Sequence, residues 1–136
     1  MLHLEIVTPE KKIFSDTVKD VYLPGADGEI GVLSLHEALV TALAPGELRY
    51  LKDNETHELA IGSGFAEITS EKVSVLTDMA LGDEEIDEAA AEEAIKKAEE
   101  AINNADQQAD PEEYAHLQGM LAVNLAKLNF KRRRKN

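Results

Sequence analysis

The spacing of apolar residues along the chain changes at Gly82, and this change constrains the fold more than any other feature. Before Gly82, stretches such as residues 2–7 (LHLEIV) alternate apolar and polar residues, which is the pattern of a half-buried β-strand. After it, residues 83–108 are rich in alanine and glutamate, which favour helix. The sequence therefore predicts a β domain over residues 1–82 and a helical domain over residues 83–136.

Six stretches of the first domain have strand character, and turn signals rich in proline, glycine, asparagine and aspartate separate them. They are residues 2–7, 18–23, 48–52, 57–62, 65–69 and 72–77. Many short strands joined by turns are typical of a β-sandwich or barrel. Because aromatic residues make up only 4% of the chain, valine, isoleucine and leucine are expected to fill the core.

Two helices are predicted in the second domain. The first begins in the acidic residues 83–85, and the second has Asp110 as its N-cap and Pro111 as its first residue. A short polar link between them predicts an antiparallel helical hairpin. The apolar sides are expected to follow Ile86, Ala90, Ala94, Ala98 and Ile102, and then Tyr114, Leu117, Leu121, Leu125 and Leu128. Alanine buries little area, so we expect the helical hairpin to be the less stable half.

The formal net charge of −13 is spread unevenly. Residues 1–82 carry a balance of −8, residues 83–110 carry −9, and residues 111–136 carry +4. Such acidity argues against a nucleic-acid partner, because phosphates require a positive field. The basic tail, residues 131–135 (KRRRK), is the exception. It is interpreted either as a solvated helix end favoured by the helix dipole or as a contact for an acidic protein partner.

The composition also limits where the chain can act. It contains no cysteine, which excludes disulfides and thiolate metal sites. No apolar run approaches the roughly 20 residues of a membrane span, and residues 1–12 do not have the pattern of a signal peptide. We therefore expect a soluble cytoplasmic chain with no direct membrane insertion.

Three groups of residues are candidate sites, each with a structural alternative. Gly25, Gly28 and Gly31 suggest a phosphate loop, but no lysine follows them, and turns with close backbone approach are favoured. His36 beside Glu37 suggests acid–base catalysis, yet neither a nucleophile nor a ligand pattern accompanies it. The acidic residues 83–93 lack the spacing of a calcium loop and are expected to form a solvated helix face. No catalytic or metal site is therefore predicted.

The glycine-rich stretch carries a family resemblance. Its pattern comprises Leu23, Pro24, Gly25, Gly28, Gly31, Val32, Leu33, His36, Leu39, Thr41, Leu43, Pro45, Gly46 and Leu48. It is followed by GSGFAEI (62–68), VSVLTD (73–78), IDEA (86–89) and KKAEEAI (96–102). Together these segments resemble the epsilon subunit of the bacterial F-type ATP synthase over nearly the whole chain.

The resemblance implies a mainly β plus α fold, with an N-terminal ten-stranded β-sandwich followed by a C-terminal antiparallel two-helix hairpin. It implies a non-catalytic central-stalk subunit of a proton-translocating complex, peripheral at the cytoplasmic face of the bacterial plasma membrane. The implied partners are the gamma subunit and the c-ring. The implied interface residues are Gly28, Glu29, Ile30, Gly31 and His36.

The resemblance also implies regulation by the helical hairpin. In the family this element either folds down or extends towards the catalytic alpha and beta subunits, and the extended form inhibits ATP hydrolysis. When the helical hairpin is closed its outer ends meet, so the basic tail should lie near residues 83–93. The predicted regulatory tail is Lys131, Arg132, Arg133, Arg134 and Lys135.

Some family members bind ATP in the folded helical hairpin through a pattern resembling Ile-Asp-x-x-Arg-Ala. The corresponding residues here are Ile86, Asp87, Ala91 and, in the second helix, Lys127. Ala90 replaces the arginine of the pattern, and arginine is the residue that suits phosphate best. No cofactor is expected beyond weak ATP binding. Two alternatives stay open at this point: a nucleotide-sensing domain whose helical hairpin closes on ATP, and an enzyme using His36 and Glu37.

Overall fold

The computed structural model describes residues 1–35, 37–104 and 110–134, with Arg134 described by its backbone alone. The chain divides into two compact units, Met1–Gly82 and Asp83–Asn136. The first unit consists of strands and the second of helices, so the predicted fold class is confirmed. The strands are β1 Leu2–Val7, β2 Lys12–Val18, β3 Asp20–Gly25, β4 Gly28–Val32, β5 Leu39–Leu43, β6 Gly46–Lys52, β7 Glu55–Ile61, β8 Gly64–Ile68, β9 Lys72–Thr77 and β10 Ala80–Leu81.

The strands of the first unit form one continuous hydrogen-bonded sheet that folds over its own core. Its order is β10-β7-β6-β3-β5-β8-β9-β1-β2, and β4 pairs with β3 outside this path. All pairs are antiparallel except β1 with β9. The amide of Lys19 donates to the carbonyl oxygen of Leu51 at 2.8 Å, which brings the end of β2 beside β6. This closure produces the sandwich.

Alternation of buried and more exposed side chains along the strands creates the core, and it is clearest in β1 and β9. In β1 every second residue is fully buried, and β9 follows the same rule through Val73 and Val75. Aliphatic side chains dominate this cluster, as the low aromatic content predicts. Its largest fully buried members are Leu2, Leu4, Ile6, Leu23, Leu48, Ile61 and Ile68.

Three strands of substantial length were not among the six predicted ones. They are β2, β4 and β5, whose residues are mostly exposed or half-buried. The predicted strand over residues 18–23 was displaced, because Val18 ends β2 and β3 runs from Asp20 to Gly25. Alternation is weak in these segments, so cross-strand pairing rather than local pattern defines them.

The helical unit begins at Asp83 as predicted, but its first long helix begins later than predicted. Residues Asp83–Glu85 form a short 3₁₀ helix, and the first long helix, α1, runs from Glu88 to Asn104. The Asp87 carboxylate explains this start, because its Oδ1 accepts a hydrogen bond from the Ala90 amide at 3.1 Å. The second helix, α2, runs from Pro111 to Arg134, and Asp110 caps it through the Glu113 amide at 3.1 Å. This second cap confirms the predicted start.

The buried row of each helix differs in part from the predicted one. In α1 the buried residues are Ala91 and Ala98, whereas Ala90 is exposed. A row spaced strictly by four drifts around a helix that has 3.6 residues per turn, so the contact face shifts to Ala91. In α2 Leu128 is buried as predicted, but Leu125 is 39% exposed.

Candidate functional site

The β3–β4 hairpin contains the three glycines of the candidate phosphate loop. Gly25 and Gly28 are paired across its turn, and Gly28 has a φ of 132°, which favours glycine. A Cβ on Gly25 would lie 2.6 Å from the Gly28 carbonyl oxygen, and one on Gly31 would lie 3.0 Å from the Tyr22 ring. The glycines therefore serve a turn and close packing, which was the favoured structural interpretation.

The predicted interface residues of this hairpin differ in exposure. Glu29 is exposed, and both of its carboxylate oxygens lie near one guanidinium nitrogen of Arg49, at 3.1 and 3.0 Å. Arg49 lies with its Cζ 4.9 Å from the centroid of the Tyr22 ring. Ile30 is half-buried and packs against the sandwich core, so part of its side chain is already used by the fold. Glu29 is thus an exposed acid of this hairpin that is paired with Arg49, and Asp27 in the turn is a second exposed acid.

The predicted interface and catalytic candidate His36 lies outside the described residues. Around it the chain is exposed: Leu33 is 60% and Leu35 is 82% accessible. Leu35 also has a φ of 67°, an uncommon value for a residue with a side chain.

The positions of the degraded ATP pattern lie at the start of α1 and within α2. Ile86 and Ala91 are buried, and Lys127 is half-buried. The Asp87 carboxylate accepts a hydrogen bond from the Ala90 amide as the helix cap. Ala90, at the position of the pattern's arginine, is exposed and offers no group that binds phosphate.

The basic tail reaches the acidic start of the helical hairpin through two residues. The Lys131 ammonium donates to the Asp83 carbonyl oxygen at 2.9 Å and lies 3.7 Å from its carboxylate. Arg132 donates through Nε to Glu88 at 3.1 Å and through its terminal nitrogen to Glu92 at 2.6 Å. These bonds, first that to Glu88, raise the pKa of Arg132. The ends of α1 and α2 therefore meet in the closed, antiparallel arrangement.

The remaining residues of the predicted tail are less completely described. Arg133 is exposed. The side chain of Arg134 and the whole of Lys135 lie outside the described residues. The structure therefore brings Lys131 and Arg132 to the acidic cluster, and the regulatory role of all five residues stays a prediction.

An exposed band of apolar residues lies on the outside of the sheet and is not among the features that the sequence predicts. Cross-strand pairing joins Ala42 to Phe65, Phe65 to Leu76, and Leu76 to Val7, which places one residue on each of β5, β8, β9 and β1. We call these four residues the outer apolar row. Phe65 is 60% and Leu76 is 54% exposed. The available signal was Leu76, a large apolar residue on the polar side of an alternating strand.

The outer apolar row continues into a cavity of about 540 Å³ at one end of the sheet. Val7 and Leu76 belong to both features, and the cavity wall is mainly apolar. The other lining residues are Thr8, Pro9, Ser63, Gly64, Thr77 and Asp78. Row and cavity together give this face of the sandwich a continuous apolar surface, which is uncommon for a side of a domain that only meets water.

Two further kinds of site were sought in the described ranges. Residues 1–35, 37–104 and 110–134 contain no group of three or more histidine or acidic side chains arranged to hold a metal ion. Neither α1 nor α2, over its described residues, has the length and apolarity needed to cross a membrane.

Comparison with known families assigns both units. Residues 1–83 match the family described as ATP synthase, Delta/Epsilon chain, beta-sandwich domain. Residues 84–131 match ATP synthase, Delta/Epsilon chain, long alpha-helix domain. The two matches adjoin at the boundary between the strands and the helices.

Individual relatives agree with this assignment. The chain is 38% identical to ATP synthase epsilon chain 2 of Ralstonia nicotianae, over 94% of this chain and 91% of the relative. It is also 38% identical to the ATP synthase epsilon chain of Nitratidesulfovibrio vulgaris, over 96% of this chain and 95% of the relative.

Solved structures show the same fold at lower identity. A chain in the OSCP/F1/c-ring assembly of the Euglena gracilis mitochondrial ATP synthase matches with a TM-score of 0.78 at 24% identity, covering 92% of this chain and 78% of that one. A chain from the central stalk/c-ring structure of the Tetrahymena thermophila mitochondrial ATP synthase matches with a TM-score of 0.53 at 13% identity. The match covers 62% of this chain and 68% of that one.

Matches to both domain families and relatives aligned over nearly their full length lead to one conclusion: the chain belongs to the epsilon chains of ATP synthase, accessory and non-catalytic subunits of that complex.

Proposed function

We propose that this chain is a rotor subunit of the central stalk of a bacterial, proton-translocating ATP synthase, and that its sandwich links the gamma subunit to the c-ring. The observation that carries the proposal is the outer apolar row on a member of the epsilon family. The related chains from c-ring-containing assemblies support it. In this arrangement the chain is peripheral, at the cytoplasmic face of the membrane.

The outer apolar row is assigned to the gamma subunit. Phe65 is 60% and Leu76 is 54% exposed. A partner that covers them therefore adds about half of the roughly 1.5–3 kcal/mol that complete burial of such a side chain provides. A rotor contact must persist while torque is transmitted, and a broad apolar surface suits a permanent interface better than isolated ion pairs do.

Substitution of the row tests this assignment. The full-length variant Phe65→Ser/Leu76→Ser should remain folded, because both side chains lie outside the core, but it should no longer co-purify with the gamma subunit. Lys72→Ser, on the same strand and the same face as Leu76, is the matched control and should bind normally. Full retention of the double variant by gamma would contradict the proposal.

The β3–β4 hairpin is assigned to the c-ring. Gly28 and Gly31 shape this hairpin, Glu29 is one of its exposed acids, and Ile30 completes it by packing on the core. His36 belongs to the same proposed interface region by family resemblance. The two assigned surfaces, the outer apolar row and the β3–β4 hairpin, lie on different strands and can be disrupted separately.

We further propose that the helical hairpin inhibits ATP hydrolysis when it extends towards the alpha and beta subunits. The ion pairs of Lys131 and Arg132 belong to the closed form. Opening of the helical hairpin releases these cations, which are then available to acidic segments of the catalytic subunits. The basic tail thus has two alternative sets of partners, and this gives a two-state element a charge-dependent bias.

Two variants separate the two states. Glu88→Gln/Glu92→Gln removes partners from the closed form alone, so inhibition of hydrolysis should increase in the reconstituted complex. Neutralising Arg132, Arg133 and Arg134 removes the proposed contacts of the extended form, so inhibition should be relieved. Hydrolysis that is unchanged by both variants would contradict the tail's role.

We propose that ATP binds the helical hairpin weakly or not at all. The Asp87 carboxylate is already used as a helix cap, and Ala90 stands where the resembling pattern has arginine. Isothermal titration of the full chain should show no binding at micromolar ATP. Micromolar affinity would instead support a nucleotide-sensing function.

A further inference from the structure

Arg49 occupies a central place in a row of side chains that crosses three strands. The register aligns Gly31 of β4 with Tyr22 of β3, and Tyr22 with Arg49 of β6. On this face the Tyr22 ring lies beside Gly31, the guanidinium lies over the ring, and its nitrogen contacts both oxygens of Glu29. No short segment of the sequence reveals this set, because Arg49 is 20 residues from Glu29.

Each member of the set depends on the one before it. A Cβ on Gly31 would come within 3.0 Å of the Tyr22 ring, so glycine leaves room for the ring in its observed place. The ring face then supports the planar guanidinium, which is 4.9 Å from the ring centroid. The guanidinium in turn fixes a glutamate side chain that is 58% exposed and would otherwise sample several rotamers.

We propose that Arg49 is a positioning residue for the β3–β4 hairpin, holding the Glu29 carboxylate in the orientation in which it contacts the partner. The inference rests on the proposed function, because it concerns the same c-ring contact. It adds a residue and a mechanism to that contact: ordering of Glu29 before binding lowers the entropy lost on docking.

The same geometry specifies the chemistry of the partner's contacting groups. The cation of Arg49 compensates the charge of Glu29, and each carboxylate oxygen keeps a lone pair that faces away from the guanidinium. Uncharged donors, such as backbone amides, hydroxyls or carboxamides, suit such an acceptor. A second cation would have to compete with Arg49 for it. The contacting donors of the partner are therefore neutral.

Binding of full-length variants to a purified gamma–c-ring subcomplex tests the role of Arg49. Arg49→Met removes the cation, and Arg49→Lys keeps the charge but loses the planar group. Both should weaken binding about two- to tenfold, the effect of having to order one long side chain on docking. Gly31→Ala, which displaces the Tyr22 ring, should weaken binding in the same direction with a smaller change.

The chain supplies a closely matched control on the same strand. Lys52 contacts the Asp16 carboxylate and lies 6.0 Å from the Phe14 ring, so it too combines a cation, an acid and an aromatic ring. Lys52→Met should change thermal stability about as much as Arg49→Met does, yet leave binding to the subcomplex unchanged. This difference separates positioning of Glu29 from a general effect on the fold.

Three results are decisive. If wild type binds and the Arg49 variants bind equally well, the positioning role is wrong although the proposed function stands. If wild type itself does not bind the subcomplex, the proposed function is wrong. Finally, Arg49→Met serves as the background, so that the exposed Arg49–Glu29 ion pair adds no salt dependence of its own. In it, the ratio of the affinity with Glu29 to that with Glu29→Gln should stay constant between about 0.05 and about 0.5 M salt. A ratio that falls steeply with salt would show a cationic partner and overturn the assignment of neutral donors.

Discussion

The sandwich and the helical unit bury different amounts of large apolar side chain. The sandwich has a large cluster of fully buried aliphatic residues such as Leu4, Ile6 and Leu48. Among the described residues of the helical unit, the buried apolar side chains are Ile86, Ala91, Ala98, Leu128 and Phe130. A buried leucine removes far more apolar area from water than an alanine does. The comparison indicates that the sandwich is the more firmly held of the two units.

The difference extends to charged groups. In the helical hairpin, ion pairs join the end of α2 to the start of the helical unit. Lys131 pairs with Asp83, and Arg132 pairs with Glu88 and Glu92. Most of these groups are partly exposed, so salt weakens their attraction. The sandwich depends mainly on burial, which salt affects much less. Salt should therefore change the stability of the helical hairpin more than that of the sandwich.

The largest expected effect is a core truncation in the sandwich. Leu48→Ala should lower the free energy of unfolding of the sandwich by about 2–5 kcal/mol, because it leaves a cavity in a closely packed core. Chemical denaturation followed by circular dichroism measures this loss. A loss below about 1 kcal/mol would place Leu48 in a site that collapses easily and would weaken the contrast between the two units.

A helix substitution should raise the stability of the helical hairpin alone. Gly119 lies within α2, and a Cβ there would meet no atom within 4 Å. Gly119→Ala should therefore stabilise α2 by about 1 kcal/mol through helix propensity. Hydrogen exchange should show slower exchange for α2 amides and no change for β1 or β9. Equal slowing in the strands would mean that the two units do not unfold separately.

Removal of the ion pairs should have a smaller effect in the opposite direction. Glu88→Gln/Glu92→Gln should speed amide exchange in both helices at low salt, and the difference from wild type should fade at high salt. Glu99→Gln/Glu100→Gln, on exposed positions of the same helix, serves as the control. A loss of protection that is independent of salt would indicate that packing, rather than charge, closes the helical hairpin.

The smallest expected effect is a pH dependence within the sandwich. The hydrogen bond from Lys52 lowers the pKa of Asp16 below its ordinary value of 3.8. Its contribution to stability is therefore present above that value and is lost as the pH falls through the lowered pKa. The melting temperatures of wild type and Asp16→Asn should differ near pH 7 and converge in strong acid. If the two melting temperatures still differ in strong acid, the charge of Asp16 is not the cause of the difference.

Local patterns in the sequence predicted the elements that local physics determines. The alternation of residues 2–7 and 72–77 matches β1 and β9, and the Asp110–Pro111 start of α2 follows from its cap. Strand β4 could not be predicted in this way, because its glycines hide its strand character and only its pairing with β3 defines it. The outer apolar row and the contact of Arg49 with Glu29 could not be predicted either, because the register of different strands brings these residues together.

Hydrogen exchange of the full-length chain, read amide by amide, tests the division between the two units most directly. The account predicts that amides of β1, β8 and β9 exchange only by global unfolding, while those of α1 and α2 exchange through local openings of much lower free energy. Equal protection of strands and helices would contradict it, because the helical hairpin would then be as firmly held as the sandwich.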